Sequence, residues 1–494
     1  MLHREHPSNF NPPQLAGRLP GLLATLLLTA CASSGGLHTH ATAMNPDSLE
    51  ASKSLASTAL SSAAWPDADW WTTYGDKQLD RLIAVALADQ PGLQIAAARV
   101  RQAQAMSAIA GASLSPQIDA SAQSTRQRFS EHSTIPPSLA GTWGTINQAT
   151  LGAHYDLDLW GKNRATLQTA VGRAQATEVK LHAAQLMLTT ALTRVYLRLD
   201  FAYAQLDLAN QTLHEREQTL ELTRQRVAAQ IDSQLELTQA RAALPEARER
   251  IAAAHESIAI LDNQIAALQG KGPDIGLDVQ RPHMTAQAAP VLPSNLPAQL
   301  IGRRPDVVAA RWRVEAAGKE IDAARAQFYP NISLNAFVGV QSLGFDDFLS
   351  AGSRIAGIGP AISLPLFDGG RLRGNLAAHQ AGYDIAVEQY NAIVISAVHD
   401  VVDQLVSLHW LDEQAHEQEQ ALTLTRQAYS LASDRYRNGV ANYLQVLSAE
   451  RQVLAQRGLV IVTAARRSEL QLNLIRALGG GYVAHAPPQF VHPS

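Results

Sequence analysis

Apolar side chains recur at every seventh position over segments far longer than a globular helix. The positions are Leu192, Leu199, Leu206, Leu213, Leu220 and Val227, then Leu408, Ala415, Leu422, Tyr429 and Tyr436, and then Leu447, Leu454, Ile461 and Ile475. A seven-residue apolar repeat is typical of helices that wind around partner helices. The sequence therefore predicts coiled-coil helices. One of them, over residues 162–229, would be on the order of 100 Å long at 1.5 Å per residue.

Two short breaks in these segments predict helical hairpins. Asn438-Gly439 favours a helix stop, because glycine adopts the left-handed conformation that ends helices. Asn442 is a suitable N-cap for the returning helix. The other break, at residues 230–233, has no glycine. Pro245 follows it and is expected to kink or loosen the next helix.

The pattern of helices and strands occurs twice. Alternation with a period of two predicts strands at residues 117–128 and 149–160, and again at 331–341 and 356–367. Landmarks recur at a nearly constant offset: Leu235 precedes Leu444, and Gly270 precedes Gly479, by 209 residues in both cases. We therefore predict a tandem duplication. The predicted segments are a first repeat at 65–270, a linker at 271–297, a second repeat at 298–482 and a tail at 483–494.

The N-terminus is predicted to be a targeting segment. Arg4 and Arg18 precede a short apolar run that suits a signal peptide over residues 1–30. Residues 28–31, LTAC, resemble the lipobox of bacterial lipoproteins, in which the signal is cut before a cysteine that is then lipidated. Cys31 is the only cysteine, and an incidental cysteine is the alternative. Residues 31–64 are rich in Ser and Ala and predict a flexible tether.

Composition and motifs exclude several function classes. The chain is 17% charged with a net charge of −4, which argues against nucleic-acid binding. It has no His-Glu-x-x-His, no Gly-x-Ser-x-Gly and no phosphate-binding loop. We therefore predict neither an enzyme nor a metal or other cofactor, apart from the covalent lipid on Cys31.

The strand count points to an assembly. Four strands cannot close a membrane barrel, since about eight is the small end of the known range, whereas three copies would supply twelve. No segment beyond the signal is predicted to form a spanning apolar helix. Aromatic residues near the strand ends would suit an interfacial girdle, with ordinary core packing as the alternative. They are Phe129, Tyr155, Trp160, Tyr329 and Phe367.

Several motifs together resemble the TolC-like outer membrane factors, in their NodT-like lipoprotein branch. They are Arg303-Arg304-Pro305-Asp306, Phe328-Tyr329-Pro330, and residues 364–370 (LPLFDGG), 436–447 (YRNGVANYLQVL) and 476–481 (RALGGG). The resemblance covers roughly residues 65–482. It implies a mainly α fold with a membrane β-barrel part: a homotrimer whose 12-stranded barrel continues as a periplasmic α-barrel. It also implies location in the Gram-negative outer membrane.

The resemblance implies a passive exit duct without chemistry of its own. A periplasmic membrane-fusion adaptor and an inner-membrane transporter, of the RND type or another pump class, would deliver drugs or other small molecules to it. Outer-membrane lipid would surround the barrel, and no nucleic acid is expected as a partner. The alternative is a lipid-anchored periplasmic coiled-coil scaffold that conducts nothing.

The resemblance also implies two kinds of functional residue. The residues that match the family's periplasmic gate are Leu444, Gln445, Ser448 and Arg451. Family members often carry carboxylates at the positions of Gln445 or Ser448, which this chain lacks, and ordinary coiled-coil surface is the alternative. The residues expected to contact the adaptor form the hairpin tips: Gln230, Ile231, Asp232 and Ser233, and Asn438, Gly439, Val440, Ala441 and Asn442.

Overall fold

A computed structural model describes residues 36–45, 48–49, 60–61, 65–132, 134, 136–285, 292–293 and 302–484. The helices are α1 (Lys77–Asp89), α2 (Pro91–Ala112), α3 (Lys162–Ala228), α4 (Gln234–Leu268), α5 (Pro305–Ala326), α6 (Arg371–Arg437) and α7 (Tyr443–Ala477). The strands of the main sheet are β1 (Gln117–Arg128), β2 (Trp143–Asp156), β3 (Asn331–Leu343) and β4 (Arg354–Ser363). A two-residue parallel pair, Leu60–Ser61 with Leu292–Pro293, lies apart from it. The chain is thus mainly helical with one four-stranded sheet.

The two halves match in element order and in helix length. Helices α2 and α5 have 22 residues each, α3 and α6 have 67 each, and α4 and α7 have 35 each. In each half a strand pair lies between the short helix and the long one. Equal lengths in two copies are what a tandem duplication produces. Helix α4 continues through Pro245.

The strands that precede the long helices end earlier than the sequence predicted. Strands β2 and β4 end at Asp156 and Ser363, whereas the predictions ended at residues 160 and 367. The reason is an acidic cap in each copy. Asp158 accepts hydrogen bonds from the backbone N–H of residues 163 and 164, and Asp368 accepts them from residues 370 and 372. Residues 157–161 and 364–370 lead from the strand into the long helix and are not part of a strand.

The four strands form one antiparallel sheet in the order β1-β2-β3-β4. β1 has the predicted bounds, but β2 begins at Trp143, six residues before the predicted start, because it pairs along the whole of β1 as far as Arg128. Within the described residues, the outer edges of β1 and β4 have no strand beside them. The sheet therefore has two unpaired edges within the described residues.

The register gives the sheet one apolar face and one polar face. Directly opposed residues lie on the same face, so Ala120, Leu151, Val338 and Ala356 form one row of the apolar face. Other members of that face are Ile118, Ala122, Ala149, Ala153, Leu334, Ala336, Val340, Ile358 and Ile362. Several of its large side chains are exposed, among them Ile118, Val338 and Ile358 at 68%, 56% and 76%.

The opposite face carries hydroxyl, amide and imidazole groups. Its members include Gln117, Asp119, Ser121, Gln123, Gln148, Thr150, His154, Asn335 and Gln341. Cross-strand hydrogen bonds join them: Ser121 Oγ lies 2.9 Å from Thr150 Oγ1, and His154 Nδ1 lies 2.7 Å from Asn335 Oδ1. Four larger apolar residues share this face, Ile146, Phe337, Leu343 and Ile355, and the ring of Phe337 lies over Gly357. An alternation of this kind keeps the two sides of the sheet in different surroundings.

The predicted aromatic girdle is wrong for one residue. Phe129 is only 3% exposed, and its ring packs so closely on Gly144 that a Cβ there would lie 2.5 Å from a ring carbon. It is a core residue of the β1–β2 turn. Trp160 and Tyr329 stack at 4.7 Å at the helical end of the sheet and are 50% and 41% exposed. Their place in an interfacial girdle stays a prediction.

The core at mid-length joins the two repeats. Trp70, Tyr74, Leu79 and Ile83 pack against residues of α3 and α4. Farther along, the buried guanidinium of Arg304 bonds to Asp306, to Asp400 and to the carbonyl oxygens of residues 397 and 477. The arginine-proline motif at residues 303–306 thus ties the start of α5 to α6 and to the end of α7.

The described parts of the predicted tether and linker are bound to the helices. Asp384 on α6 accepts hydrogen bonds from the backbone N–H of His40 and Ala41, and Asn391 accepts one from Met44. Residues 37–44 therefore follow α6, contrary to the prediction of a flexible tether over that stretch, because polar side chains of α6 bind their backbone. In the linker, His283 N–H donates to Asp76, which fixes the linker to the start of α1.

Among the described helices, only α6 combines the length and apolar composition that a membrane crossing would need. The sequence analysis predicted no such helix. The apolar window has a mean hydropathy of 1.3 and is 28% buried. In addition to its coiled-coil stripe, α6 exposes Val406 and Trp410, at 45% and 59%.

Candidate functional site: the hairpin tips and gate

The second hairpin tip has the predicted geometry. Helix α6 ends at Arg437, and Gly439 follows with a left-handed φ of 76°. The side chain of Asn442 accepts a hydrogen bond from the backbone N–H of Gln445, which confirms it as the N-cap of α7. Val440 stands at the turn with 63% of its surface exposed.

The first tip makes the same turn without a glycine. Gln230 has a φ of 63° and lies 209 residues before Gly439, so an L-residue occupies the left-handed position. Ser233 and Glu236 then form a reciprocal capping box at the start of α4, with both hydrogen bonds of that motif made. Hydrogen bonding from Ser233 lowers the pKa of Glu236. Good capping of α4 thus accompanies an unfavourable turn residue.

A buried ion pair of the first tip also binds the second tip, through Tyr436. Arg226, at the end of α3, binds Asp232 with Nε–Oδ2 and Nη2–Oδ1 distances of 2.9 and 3.1 Å. Its Nη1 donates to the carbonyl oxygen of Tyr436 at 2.6 Å, and its guanidinium lies 4.3 Å from the centre of the Tyr436 ring. The Tyr436 hydroxyl donates to Asp232 Oδ2 at 2.5 Å and lies 3.0 Å from Thr223 Oγ1. We call Arg226, Asp232, Tyr436 and Thr223 the tip network.

The tip network fixes the charge states of its members. Burial raises the pKa of Asp232, but the hydrogen bonds from Arg226 and Tyr436 outweigh it, so this pKa lies below its ordinary value. The pKa of Tyr436 is raised to about 12 by burial and by its bond to Asp232. The bond to Asp232 raises the pKa of Arg226. The carboxylate stays ionised and the phenol stays protonated across the neutral range.

A second buried ion pair lies farther from the tips. Arg216 on α3 donates to Glu450 on α7 at 2.9 Å, to Glu246 on α4 at 3.1 Å and to the carbonyl oxygen of Ala243 at 2.7 Å. Arg216 and Glu450 are 5% and 7% exposed. Burial lowers the pKa of Arg216, but its bonds to Glu450 and Glu246 outweigh burial, so this pKa lies above its ordinary value. This contact connects the first hairpin to α7.

The sequence analysis missed these networks. Asp232 was predicted only as a tip residue and Tyr436 only as a coiled-coil residue. A signal existed, because Arg216 lies seven residues after Ala209 and seven before Thr223, all buried. A charged residue at a repeating core position specifies a particular partner.

The predicted gate residues share one exposed face of α7. Leu444, Gln445, Ser448 and Arg451 are all exposed, and Leu444 is 62% so. The spacing of four and three residues places positions 444, 448 and 451 in line along the helix. The opposite face, with Tyr443, Val446 and Glu450, is buried against its neighbours. Their role in a gate stays a prediction.

Two other predicted features find no test here. Cys31 and the signal peptide lie outside the described residues. In the described part of the chain, no three His, Cys, Asp or Glu side chains are grouped so that they could hold a metal ion.

Comparisons with known proteins identify relatives over most of the chain. Residues 82–271 and 296–480 match the family described as outer membrane efflux protein. The fusaric acid resistance protein FusA of Burkholderia cepacia is 41% identical over 364 residues, which cover 73% of this chain and 68% of FusA. The multidrug resistance outer membrane protein MdtP of Escherichia coli K12 is 31% identical over 433 residues, covering 86% of this chain and 88% of MdtP.

A solved structure has the same fold. The crystal structure of the outer membrane protein VceC from Vibrio cholerae superposes with a TM-score of 0.80 at 37% sequence identity. The match covers 84% of this chain and 100% of that one. The resemblance drawn from the sequence motifs is thereby confirmed.

Proposed function

Because this chain belongs to the outer membrane efflux protein family, we propose that it is the trimeric exit duct of a tripartite efflux pump. It is an outer-membrane protein of the efflux channel class, and this family is not one of enzymes. The observation that carries the finer proposal is the two-faced, open-edged sheet joined to two 67-residue helices. Cys31 would carry the lipid anchor.

The open sheet supports closure by other copies. Unpaired strand edges are costly in lipid, because their backbone groups find no hydrogen-bond partner there. β1 runs away from the helices and β4 runs back towards them, so β4 of one copy can pair antiparallel with β1 of the next. Three copies give an even number of strands, which closes a barrel. The apolar face then meets lipid and the polar face lines the lumen.

The exposed apolar face of α6 supports the same assembly. Val406 and Trp410 lie on a helix that continues below the barrel as part of the periplasmic tunnel. A large aromatic side chain that is half exposed in one chain is typical of a surface that a neighbour covers. In this proposal the adjacent subunit packs on it, and α6 does not cross the membrane.

The tips support a gated entrance. Leu444, Gln445, Ser448 and Arg451 would face their copies in the other two subunits and narrow the tunnel. The tip network would hold the two hairpins of one subunit together until a periplasmic adaptor binds the tips. An inner-membrane transporter would then supply the cargo. The names of FusA and MdtP point to fusaric acid and to multiple drugs as the compounds that those relatives act against, and we propose small organic molecules as cargo here.

Single-channel recording tests the proposal. Purified protein is reconstituted in a planar bilayer, as wild type and as the Leu444→Ala/Arg451→Ala double variant. We expect small, flickering currents from the wild type and large, stable currents from the variant, since both contacts of the constriction are removed. Leu235→Ala is the matched control, because Leu235 is the repeat equivalent of Leu444 and is also exposed, at 63%. It should leave the currents small.

Two outcomes would count against parts of the proposal. Large currents from the wild type would keep the duct and refute the gate assignment. No current from either protein, with reconstitution verified, would refute the duct and favour the periplasmic scaffold. A Cys31→Ser variant that leaves the membrane on alkaline extraction would point the same way, because a barrel stays in the membrane without a lipid anchor.

A further inference from the structure

Three arginines lie at the edge of the apolar face of the sheet, on the side of the loops and away from the helices. The register places Arg126 and Arg128 of β1 on the same face as Ile118 and Ala120, because residues two apart share a face. Arg354, at the start of β4, lies on that face in a row with Val340. The face that carries the apolar rows therefore has a cationic rim at its loop side, next to the polar row of Ser124, Asn147 and Ser342.

Two of these arginines have side chains that no bond within the described chain accounts for. The guanidinium groups of Arg126 and Arg354 form no hydrogen bond or ion pair with any residue that the structure describes, and both side chains are exposed. Arg128, in contrast, pairs with Glu131 at 2.8 Å. Trp143 stands opposite Arg128 with 65% of its surface exposed. An exposed tryptophan beside cationic side chains is typical of the level of lipid headgroups.

We propose that Arg126 of one subunit and Arg354 of the next form a binding site for the phosphate groups of outer-leaflet lipid. The inference rests on the proposed function, since it needs the barrel to close. Within one chain two strands separate β1 from β4. At a subunit seam, β4 and the neighbour's β1 lie side by side, at a strand spacing of about 4.8 Å, with their loop ends together. Each seam then carries both free guanidinium groups, and a lone chain lacks the site.

The chemistry of the rim selects this occupant. Arginine binds phosphate through two parallel N–H···O bonds and is weakly hydrated, so it suits an anionic headgroup. On the lipid side of a barrel, a charged group is tolerated only near the interface, where it can reach a headgroup. The lipid of the outer leaflet offers phosphate at that level, and its acyl chains would cover the apolar rows between Ala122 and Ile118.

The test measures the lipid that remains bound to the purified trimer. Native mass spectrometry counts bound lipopolysaccharide for the wild type, Arg126→Gln, Arg354→Gln and the double variant. We expect each single change to reduce lipid retention about fivefold, since one arginine near a membrane surface contributes about that factor. The matched control is Arg128→Gln, which lies on the same rim but is already paired with Glu131, and it should change retention less than twofold.

Mixed trimers test whether the site lies at the seam. When Arg126→Gln and Arg354→Gln chains are co-expressed with different tags, a mixed trimer contains one seam with both arginines intact. Homotrimers of either variant contain none. We therefore expect mixed trimers to regain bound lipid at one seam. Equal retention in mixed trimers and in homotrimers would refute a composite site.

Other outcomes separate this inference from the proposed function. Conductance and trimer mass are measured on the same samples, so a wild type that stays monomeric refutes the duct and the seam together. A conducting trimer whose double variant retains lipid at the wild-type level refutes the lipid site alone. Loss of lipid on chelation of divalent cations, with no effect of the arginine changes, would assign the binding to Asp346 and Asp347 in the β3–β4 loop and refute our assignment. Equal binding of phosphatidylglycerol vesicles would refute the choice of outer-leaflet lipid.

Discussion

The two hairpin tips began as copies and now differ in what their arginine does. Arg226 and Arg435 lie 209 residues apart, at the same place in the two repeats. Arg226 is buried and bound by Asp232, whereas Arg435 is exposed, and the position equivalent to Asp232 is Ala441. The copies also differ at the turn, with Gln230 in one and Gly439 in the other. One carboxylate thus turns a surface cation into the centre of a network.

This difference suggests that the tips have separate tasks. The first tip holds the second through the Tyr436 carbonyl and hydroxyl groups, while the turn of the second tip stays exposed at Val440. A duplicated hairpin can divide its work in this way, because the second copy is free to change once the first supplies the stabilising contact. The following predictions test that division.

Removing the carboxylate should have the largest effect. Asp232→Ala leaves the buried Arg226 guanidinium without its anion, and breaking a buried pair on one side costs about 3–5 kcal/mol. We expect the backbone amides of both tips to lose hydrogen-exchange protection, with little change at the distant Arg304 contact. The single-channel currents should increase. The control is Arg435→Ala, the equivalent cation in the other repeat, which should change tip protection by less than about 0.5 kcal/mol. Equal effects of the two changes would show that the tips are not divided in function.

The tyrosine should have a smaller effect that depends on pH. Tyr436→Phe removes a hydrogen bond to a charged, buried acceptor and should cost about 1.5–3 kcal/mol of tip stability at neutral pH. Since the pKa of Asp232 is lowered in the folded state, its stabilisation is present above its unfolded pKa of about 4 and is lost as the pH falls through the folded value. The pKa of Tyr436 is raised to about 12, so its stabilisation is present below about pH 10 and is lost as the pH rises towards that value.

Hydrogen exchange and ultraviolet titration distinguish the loss of tip stability at low pH (the acid limb) from its loss at high pH (the alkaline limb). In the wild type, the tip should be protected between about pH 4 and pH 10, and two tyrosines, Tyr436 and Tyr443, should ionise near 12. Tyr436→Phe should remove one of these two titrations and reduce the alkaline limb of tip protection, while it keeps the acid limb of Asp232. Tyr155→Phe, on a strand far from the tips, is the control for tyrosine removal. An unchanged alkaline limb in Tyr436→Phe would contradict the network.

The sequence predicted the fold where local signals and packing agree. The seven-residue repeat placed the first long helix within one residue of Lys162–Ala228, because nothing interrupts the pattern before the turn. The predicted start of β2 was wrong. Its first residues form a strand only because they pair with β1, and this pairing is a tertiary contact. The tip network could not be predicted from one helix at a time. Arg226 has the sequence context of a surface residue. Its partner Asp232 meets it only once the turn has formed, and Tyr436 meets it only when the two repeats pack together.

The turn residues should give the smallest effect and separate backbone strain from the network. An L-residue in the left-handed conformation costs roughly 1–2 kcal/mol, so Gln230→Gly should stabilise the first tip by about 1 kcal/mol, after the extra entropy of the unfolded glycine is subtracted. Gly439→Gln should destabilise the second tip by about the same amount. Exchange protection at the tips measures both, and the double variant with the residues swapped should be near neutral because the costs cancel. If Gln230→Gly instead reduced exchange protection at the tips, the side chain of Gln230 would make a contact that offsets its backbone strain. The first tip would then be stabilised by Gln230 as well as by Asp232.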